Sequence, residues 1–106
     1  MTQPELLQLL KNRLLDVYGV RFRGLVLYGS VARGDADEES DIDLICLLDG
    51  PIDVPDEVCN IIDQTSDIRN AQGESYRTVH IFPVDISEYE KNFPLYIEAR
   101  SDGVLV

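Results

Sequence analysis

The residues best suited to chemistry lie between two apolar segments in the first half of the chain. Gly29 and Ser30 follow a short apolar segment, and ten residues later Asp41 and Asp43 begin a second one. Because strand side chains alternate in direction, the two carboxylates are predicted to share one face, about 7 Å apart, where they can hold one divalent cation. A glycine lets backbone approach a phosphate, and the Ser30 hydroxyl and Arg33, one helical turn later, could contact its oxygens. This combination predicts phosphoryl or nucleotidyl transfer.

Hydrophobic spacing predicts the elements that position these residues. Apolar side chains recur at three- and four-residue intervals over residues 4–18 and 56–68, which indicates two amphipathic helices. Short apolar segments predict strands over residues 24–28, 41–48, 77–86 and 104–106, and Pro83 favours an edge position or a bulge in the third of them. Ser87 and Glu90 have the spacing of a capping box, and a further helix is expected over residues 95–100. The predicted fold class is α/β (α+β), a small mixed β-sheet with helices packed on it, in a single domain over residues 1–106.

Composition excludes several classes of function. The chain has 106 residues, 9 Lys and Arg, 20 Asp and Glu, and a formal net charge of −11. Binding of a nucleic-acid backbone needs clustered basic residues, so we expect no such partner. No apolar segment approaches the ~20 residues of a membrane span, and the N-terminus lacks the basic and apolar regions of a secretory signal. Cys46 and Cys59 lack metal-ligand spacing, which predicts two buried, reduced thiols and a cytoplasmic protein.

The segment from Tyr28 to Leu48 resembles the signature of the polymerase-β-type nucleotidyltransferase superfamily. The matching pattern is Gly29-Ser30, ten residues, then Asp41-x-Asp43. The short chain is similar to the minimal nucleotidyltransferase branch, which includes antitoxins paired with HEPN-domain toxins. The resemblance implies that Gly29, Ser30 and Arg33 bind the phosphates of a nucleoside triphosphate, expected to be ATP. It also implies that Asp41 and Asp43 bind Mg²⁺.

The resemblance implies a third acid on a later strand, and the sequence offers two candidates for that position. If Val79-His80-Ile81 matches the expected valine-acid-hydrophobic pattern, His80 replaces the acid. If Val84-Asp85-Ile86 matches, Asp85 supplies it. Both are candidate catalytic residues, because an imidazole or a carboxylate can assist an acceptor hydroxyl. His80 lies earlier in the predicted strand, where the acid of this superfamily usually lies.

Two functions remain open at this point. The first is Mg²⁺-dependent transfer of AMP from ATP to a hydroxyl of a partner protein, expected to be a HEPN-type toxin. The second is a catalytically degenerate module that neutralises a partner by binding it, which the absence of a third acid would favour. The sequence determines neither the acceptor nor the oligomeric state.

Overall fold

In the described part of the chain, the sheet has four strands of mixed orientation. The computed structural model describes residues 1–29, 41–73, 76–91 and 93–106. The strands lie in the order β3-β2-β1-β4; β1 is antiparallel to both β2 and β4, and β2 is parallel to β3. Their bounds are β1 Phe22–Tyr28, β2 Ile42–Leu48, β3 Val79–Asp85 and β4 Val104–Leu105.

Two long helices cover one face of the sheet. Helix α1 spans Gln3–Tyr18 and is followed by the 3₁₀ turn Gly19–Arg21, and helix α2 spans Val54–Asn70. Thr2 and Asp53 accept hydrogen bonds from backbone N–H groups in the first turns of α1 and α2, respectively, and proline follows each cap. The side chains between these helices and the sheet form the larger core, whose fully buried members include Leu10, Leu14, Leu25, Ile42, Leu44 and Leu48.

Two short helices cover part of the opposite face. Helix α3 spans Ile86–Tyr89 and α4 spans Pro94–Asp102. They pack over a smaller cluster formed by Val26, Ile45, Leu47, Val84, Tyr89 and Ala99. Strand β2 is therefore buried on both faces beyond its first residues, which is why its sequence changes from alternating to wholly apolar.

The predicted fold class is confirmed, and the predicted elements agree with the structure apart from shifts of one to three residues at their ends. The predicted capping box is wrong: the cap of α3 is Asp85, whose side chain accepts a hydrogen bond from the Ser87 N–H, while Ser87 lies inside the helix. The expectation of two buried thiols is also wrong, because Cys46 is buried and Cys59 is exposed. Cys59 lies on α2 outside the apolar stripe that meets the sheet.

Strand β3 lies at an edge of the sheet, as Pro83 predicts. The Ile42 N–H donates to the Thr78 carbonyl at 2.9 Å, and Ile42 is paired with Val79. In a regular parallel ladder this register directs the backbone groups of the even-numbered residues of β3 toward β2 and those of the odd-numbered residues outward. Pro83 is odd-numbered, so its missing N–H costs the sheet no hydrogen bond.

None of the helices in the described parts of the chain is long and apolar enough to cross a membrane.

Candidate active site

Polar side chains from neighbouring strands meet at the end of the sheet where β1 finishes and β2 begins. Asp43 is paired with Tyr28 of β1 on one side and with His80 of β3 on the other. Residues paired across a sheet project from the same face, so these three side chains form one row. Asp41 precedes β2 by one residue, and its Oδ2 lies 3.3 Å from His80 Nε2. The expectation that Asp41 and Asp43 lie near each other on one face agrees with these contacts.

The side chains of this row and the adjacent Asp41 differ in their contact with solvent. The side chains of Asp41 and His80 are 57% and 43% exposed, whereas Asp43 and Tyr28 are only partly exposed. Burial raises the pKa of Asp43; the neighbouring Asp41 charge raises it further, against the opposing effect of His80. Burial, together with the Asp43 charge, raises the pKa of Tyr28 to about 12, so this phenol is neutral at pH 7. Asp43 is therefore the acid of the site whose charge is least well solvated.

Gly29 brings the backbone against the Asp43 carboxylate. Its φ is +79°, in the region that favours glycine, and a Cβ at this position would lie 3.0 Å from Asp43 Oδ2. Two local features therefore favour glycine at position 29: the left-handed backbone conformation and the close approach to the Asp43 carboxylate. Ser30 and Arg33, the other predicted phosphate-binding residues, lie outside the described residues, so their predicted roles stay predictions.

The two candidates for the third position lie at opposite ends of β3. His80 is paired with Asp43 near the beginning of the strand, and Asp85 is paired with Leu48 at its end. Five residues of strand separate them, about 16 Å. Asp85 accepts hydrogen bonds from the Ser87 N–H and hydroxyl, which hold the pKa of its carboxyl below the usual range. The structure thus brings His80 to Asp41 and Asp43, and it places Asp85 at a helix cap away from them.

Tyr28 was not among the residues singled out from the sequence, although it belongs to the same row. The only signal in the sequence is its position, the last residue of an apolar segment directly before Gly29. The sequence gives no register between β1 and β2, so its pairing with Asp43 could not be anticipated. The contact between Asp41 and His80 could not be predicted for the same reason, since it depends on the register between β2 and β3.

The donor set of this row is compatible with Mg²⁺. The described residues contain no group of three or more His, Cys, Asp or Glu side chains that could hold a metal ion by themselves. Mg²⁺ is typically held by one or two carboxylates together with substrate phosphates and water, rather than by a complete protein cage. Asp41 and Asp43 could supply those carboxylates, and a cation there would offset the cost of holding Asp43 partly buried beside Asp41.

Comparison with known families identifies the class of protein to which this fold belongs. The family model described as "Nucleotidyltransferase domain" matches residues 7–101, and the chain belongs to this family. This extent covers both predicted motif halves and every strand except β4.

The chain is also similar to two individual proteins. A Methanocaldococcus jannaschii protein provisionally named as a protein adenylyltransferase is 36% identical over 59 residues, which is 56% of this chain and 59% of that protein. The alignment thus spans less than two thirds of the relative's length. A crystal structure of a Sulfolobus solfataricus protein provisionally described as a nucleotidyltransferase has a TM-score of 0.54 at 24% identity, and covers 97% of this chain and 80% of that one. At this identity the second comparison supports the fold alone.

Proposed function

We propose that this chain transfers AMP from ATP to a hydroxyl group of a protein, in a reaction that depends on Mg²⁺. The observation that carries the proposal is the row in which Asp43 lies between the β1 end at Gly29 and His80 of β3. This row has a side suited to phosphates, a central pair of carboxylates, and a side with a group that can accept a proton. The relative named as a protein adenylyltransferase supports the choice of AMP and of a protein acceptor.

Each residue has one role in the proposed reaction. Gly29, Ser30 and Arg33 seat the triphosphate, and Asp41 and Asp43 hold Mg²⁺, which when bound neutralises charge on the phosphates. The acceptor oxygen bonds to the α-phosphorus, the bond from that phosphorus to the oxygen bridging to the β-phosphate breaks, and pyrophosphate leaves.

The hydroxyl proton of the acceptor passes to a neighbouring base. His80 is the base in this proposal, because its imidazole lies beside the carboxylates and a neutral imidazole accepts a proton near pH 7. Asp85 was the other candidate from the sequence, and its position at the cap of α3 gives it no part in this scheme.

The acceptor is proposed to be a partner toxin of the HEPN type, met in the cytoplasm. The chain carries a net charge of −11, and an acidic protein associates faster with a basic partner.

The test uses ATP labelled at the α-phosphate, with Mg²⁺, in the presence and absence of the protein encoded by the adjacent gene. We expect label on the partner, and its loss in the double variant Asp41→Asn/Asp43→Asn. Asp63→Asn, an exposed acid on α2, is the matched control and should retain transfer. No label in either condition, or equal labelling by the double variant, would contradict the proposal.

One observation favours the second candidate, a module that acts by binding alone. A third carboxylate is missing from the row among the described residues, and two-metal chemistry depends on such ligands. On this alternative the Asp41→Asn/Asp43→Asn variant still binds and neutralises the partner as the unmodified chain does. Activity of the partner, measured with each protein, separates neutralisation by binding from neutralisation by AMP transfer.

A further inference from the structure

The outer edge of β3 runs beside the candidate active site. Among the described residues no strand pairs with this edge, since β3 is the first strand in the order β3-β2-β1-β4. The register with β2 directs the backbone groups of Val79 and Ile81 outward, on both sides of His80. Such outward N–H and C=O groups are a template for pairing with an extended segment of another chain.

Pro83 limits how far such a segment can pair. Its nitrogen carries no hydrogen, so the outer edge has both a donor and an acceptor at Val79 and Ile81 but only an acceptor at Pro83. The part of the edge able to form a complete ladder is therefore the part that flanks His80. A segment docked there lies next to Asp41 and Asp43 and does not pair with the whole length of β3.

The side chain of Phe82 projects from the same face of β3 as His80. It is 47% exposed, lies two residues beyond His80, and its ring is nearly parallel to the imidazole, at 17° and 6.5 Å between centroids. His80 and Phe82 project from the face that carries Asp43, whereas Val79 and Ile81 pack toward α1 and α2. The active-site face of β3 therefore offers one polar position and one apolar position, two residues apart.

We propose that a hydroxyl-bearing segment of a partner protein docks as an added strand along the outer edge of β3, with an apolar side chain on Phe82. The hydroxyl residue lies opposite His80, on the face of Asp43, and the apolar residue lies two positions away. This inference rests on the proposed function for the identity of the docked segment as the acceptor.

The geometry of transfer places the acceptor on this side. Gly29, which the proposed function assigns to the phosphates, lies directly after β1, and His80 is on the strand across β2 from it. An attacking oxygen and a leaving group lie on opposite sides of the phosphorus in an in-line displacement. With pyrophosphate toward β1, the attacking hydroxyl comes from the β3 side. The net charge of −11 favours basic residues elsewhere in the docked segment.

The probe is a fluorescein-labelled nine-residue peptide with a central tyrosine or serine, valine two positions to either side, and lysine elsewhere. Its binding to the full chain is measured by fluorescence anisotropy, and the peptide is then N-methylated at one position at a time. An added strand directs alternate N–H groups toward β3, so we expect affinity to fall about tenfold or more at the alternate positions that lie opposite Val79 to Pro83, and to change less than twofold at the others. The parity of the affected positions reports whether the segment is parallel or antiparallel to β3.

A pair of variants tests the apolar contact. Phe82→Ala is expected to weaken binding of the valine peptide by about three- to tenfold, and to leave unchanged a peptide with glycine at those positions. Ile97→Ala is the matched control: Ile97 is 46% exposed, on α4, and its removal should not change either affinity.

The outcomes distinguish this inference from the proposed function. No binding of the probe, or an equal effect of N-methylation at all positions, contradicts docking along β3 even if AMP is transferred to the partner. Alternating effects on binding without any transfer of label contradict the proposed function and leave the docking surface standing.

Discussion

At the scale of single residues, the most informative position is a glycine rather than an acid. Gly29 has a φ of +79°, and a Cβ there would lie 3.0 Å from Asp43 Oδ2. Gly73 has a nearly equal φ of +82°, but a Cβ there meets no described atom within 4 Å. The two glycines therefore share a backbone requirement and differ only in what their Cβ would contact.

We expect Gly29→Ala to lose AMP transfer by about a hundredfold, because displacement of the Asp43 carboxylate by even a fraction of an ångström misplaces its ligand atoms. Gly73→Ala should retain transfer. Both substitutions should lower the free energy of unfolding by about 1 to 2 kcal/mol, the usual cost of a left-handed alanine. Urea denaturation measures the stability and label transfer measures the activity; equal transfer by the two variants would show that the contact with Asp43 has no functional role.

At the scale of elements, the register between β2 and β3 decides which of the two candidates, His80 or Asp85, lies beside Asp43. This register pairs His80 with Asp43 and Asp85 with Leu48. We expect His80→Ala to reduce transfer by about a hundredfold or more, the usual effect of losing a general base, with little change in stability. Asp85→Ala should retain transfer and lower the urea midpoint, because it removes the cap of α3. The opposite pattern, with transfer lost only in Asp85→Ala, would assign the third position to Asp85.

A second prediction at this scale concerns the ion pair that connects the two long helices. Arg13 of α1 donates two hydrogen bonds to the Asp67 carboxylate of α2, at 2.8 and 3.0 Å, which holds the pKa of Asp67 below its usual range. The unfolded chain therefore binds this proton more readily than the folded one, and the ion pair stabilises the fold at pH values above about 4. That stability is lost as the pH falls through the lower pKa of the folded state.

Asp67→Asn should consequently have a lower urea midpoint than the unmodified chain at pH 7, and the difference should shrink between pH 4 and pH 2. Asp63→Asn, on the same helix and exposed, is the control and should follow the unmodified chain at every pH. A difference for Asp67→Asn that stays constant with pH would mean that the pair with Arg13 contributes nothing through its charge.

These elements also show what the sequence could and could not predict. Periodicity predicts each helix and strand because each element buries a continuous stripe or face, as with α1 and β2. It also predicts that Asp41 and Asp43 lie near each other, because only one residue separates them in the chain. It does not choose between His80 and Asp85 or find Tyr28, because those contacts depend on pairing between strands. Cap residues are equally hard to predict from the sequence. Asp85 and Ser87 are both good caps, and backbone geometry decides between them.

At the scale of the whole molecule, the charge of −11 on 106 residues has consequences beyond the site. The chain has 20 Asp and Glu against 9 Lys and Arg, so ion pairs can neutralise only part of the acidic surface. Like charges held on a compact surface repel one another more than they do in an expanded chain. The fold is therefore stabilised less than its core alone would allow.

Salt screens this repulsion, since the Debye length falls from about 30 Å at 0.01 M to about 8 Å at 0.15 M ionic strength. We expect the urea midpoint of unfolding to rise as NaCl increases over this range, opposite to the behaviour of a protein held together by surface ion pairs. The double variant Asp63→Lys/Asp102→Lys changes two exposed acids to bases and the net charge from −11 to −7, since each substitution adds two units. Its midpoint should rise less steeply with salt. A urea midpoint that falls with salt would show that ion pairs such as Arg13–Asp67 outweigh the general repulsion. An equal dependence of the midpoint on salt in the variant would show that the net charge does not control it.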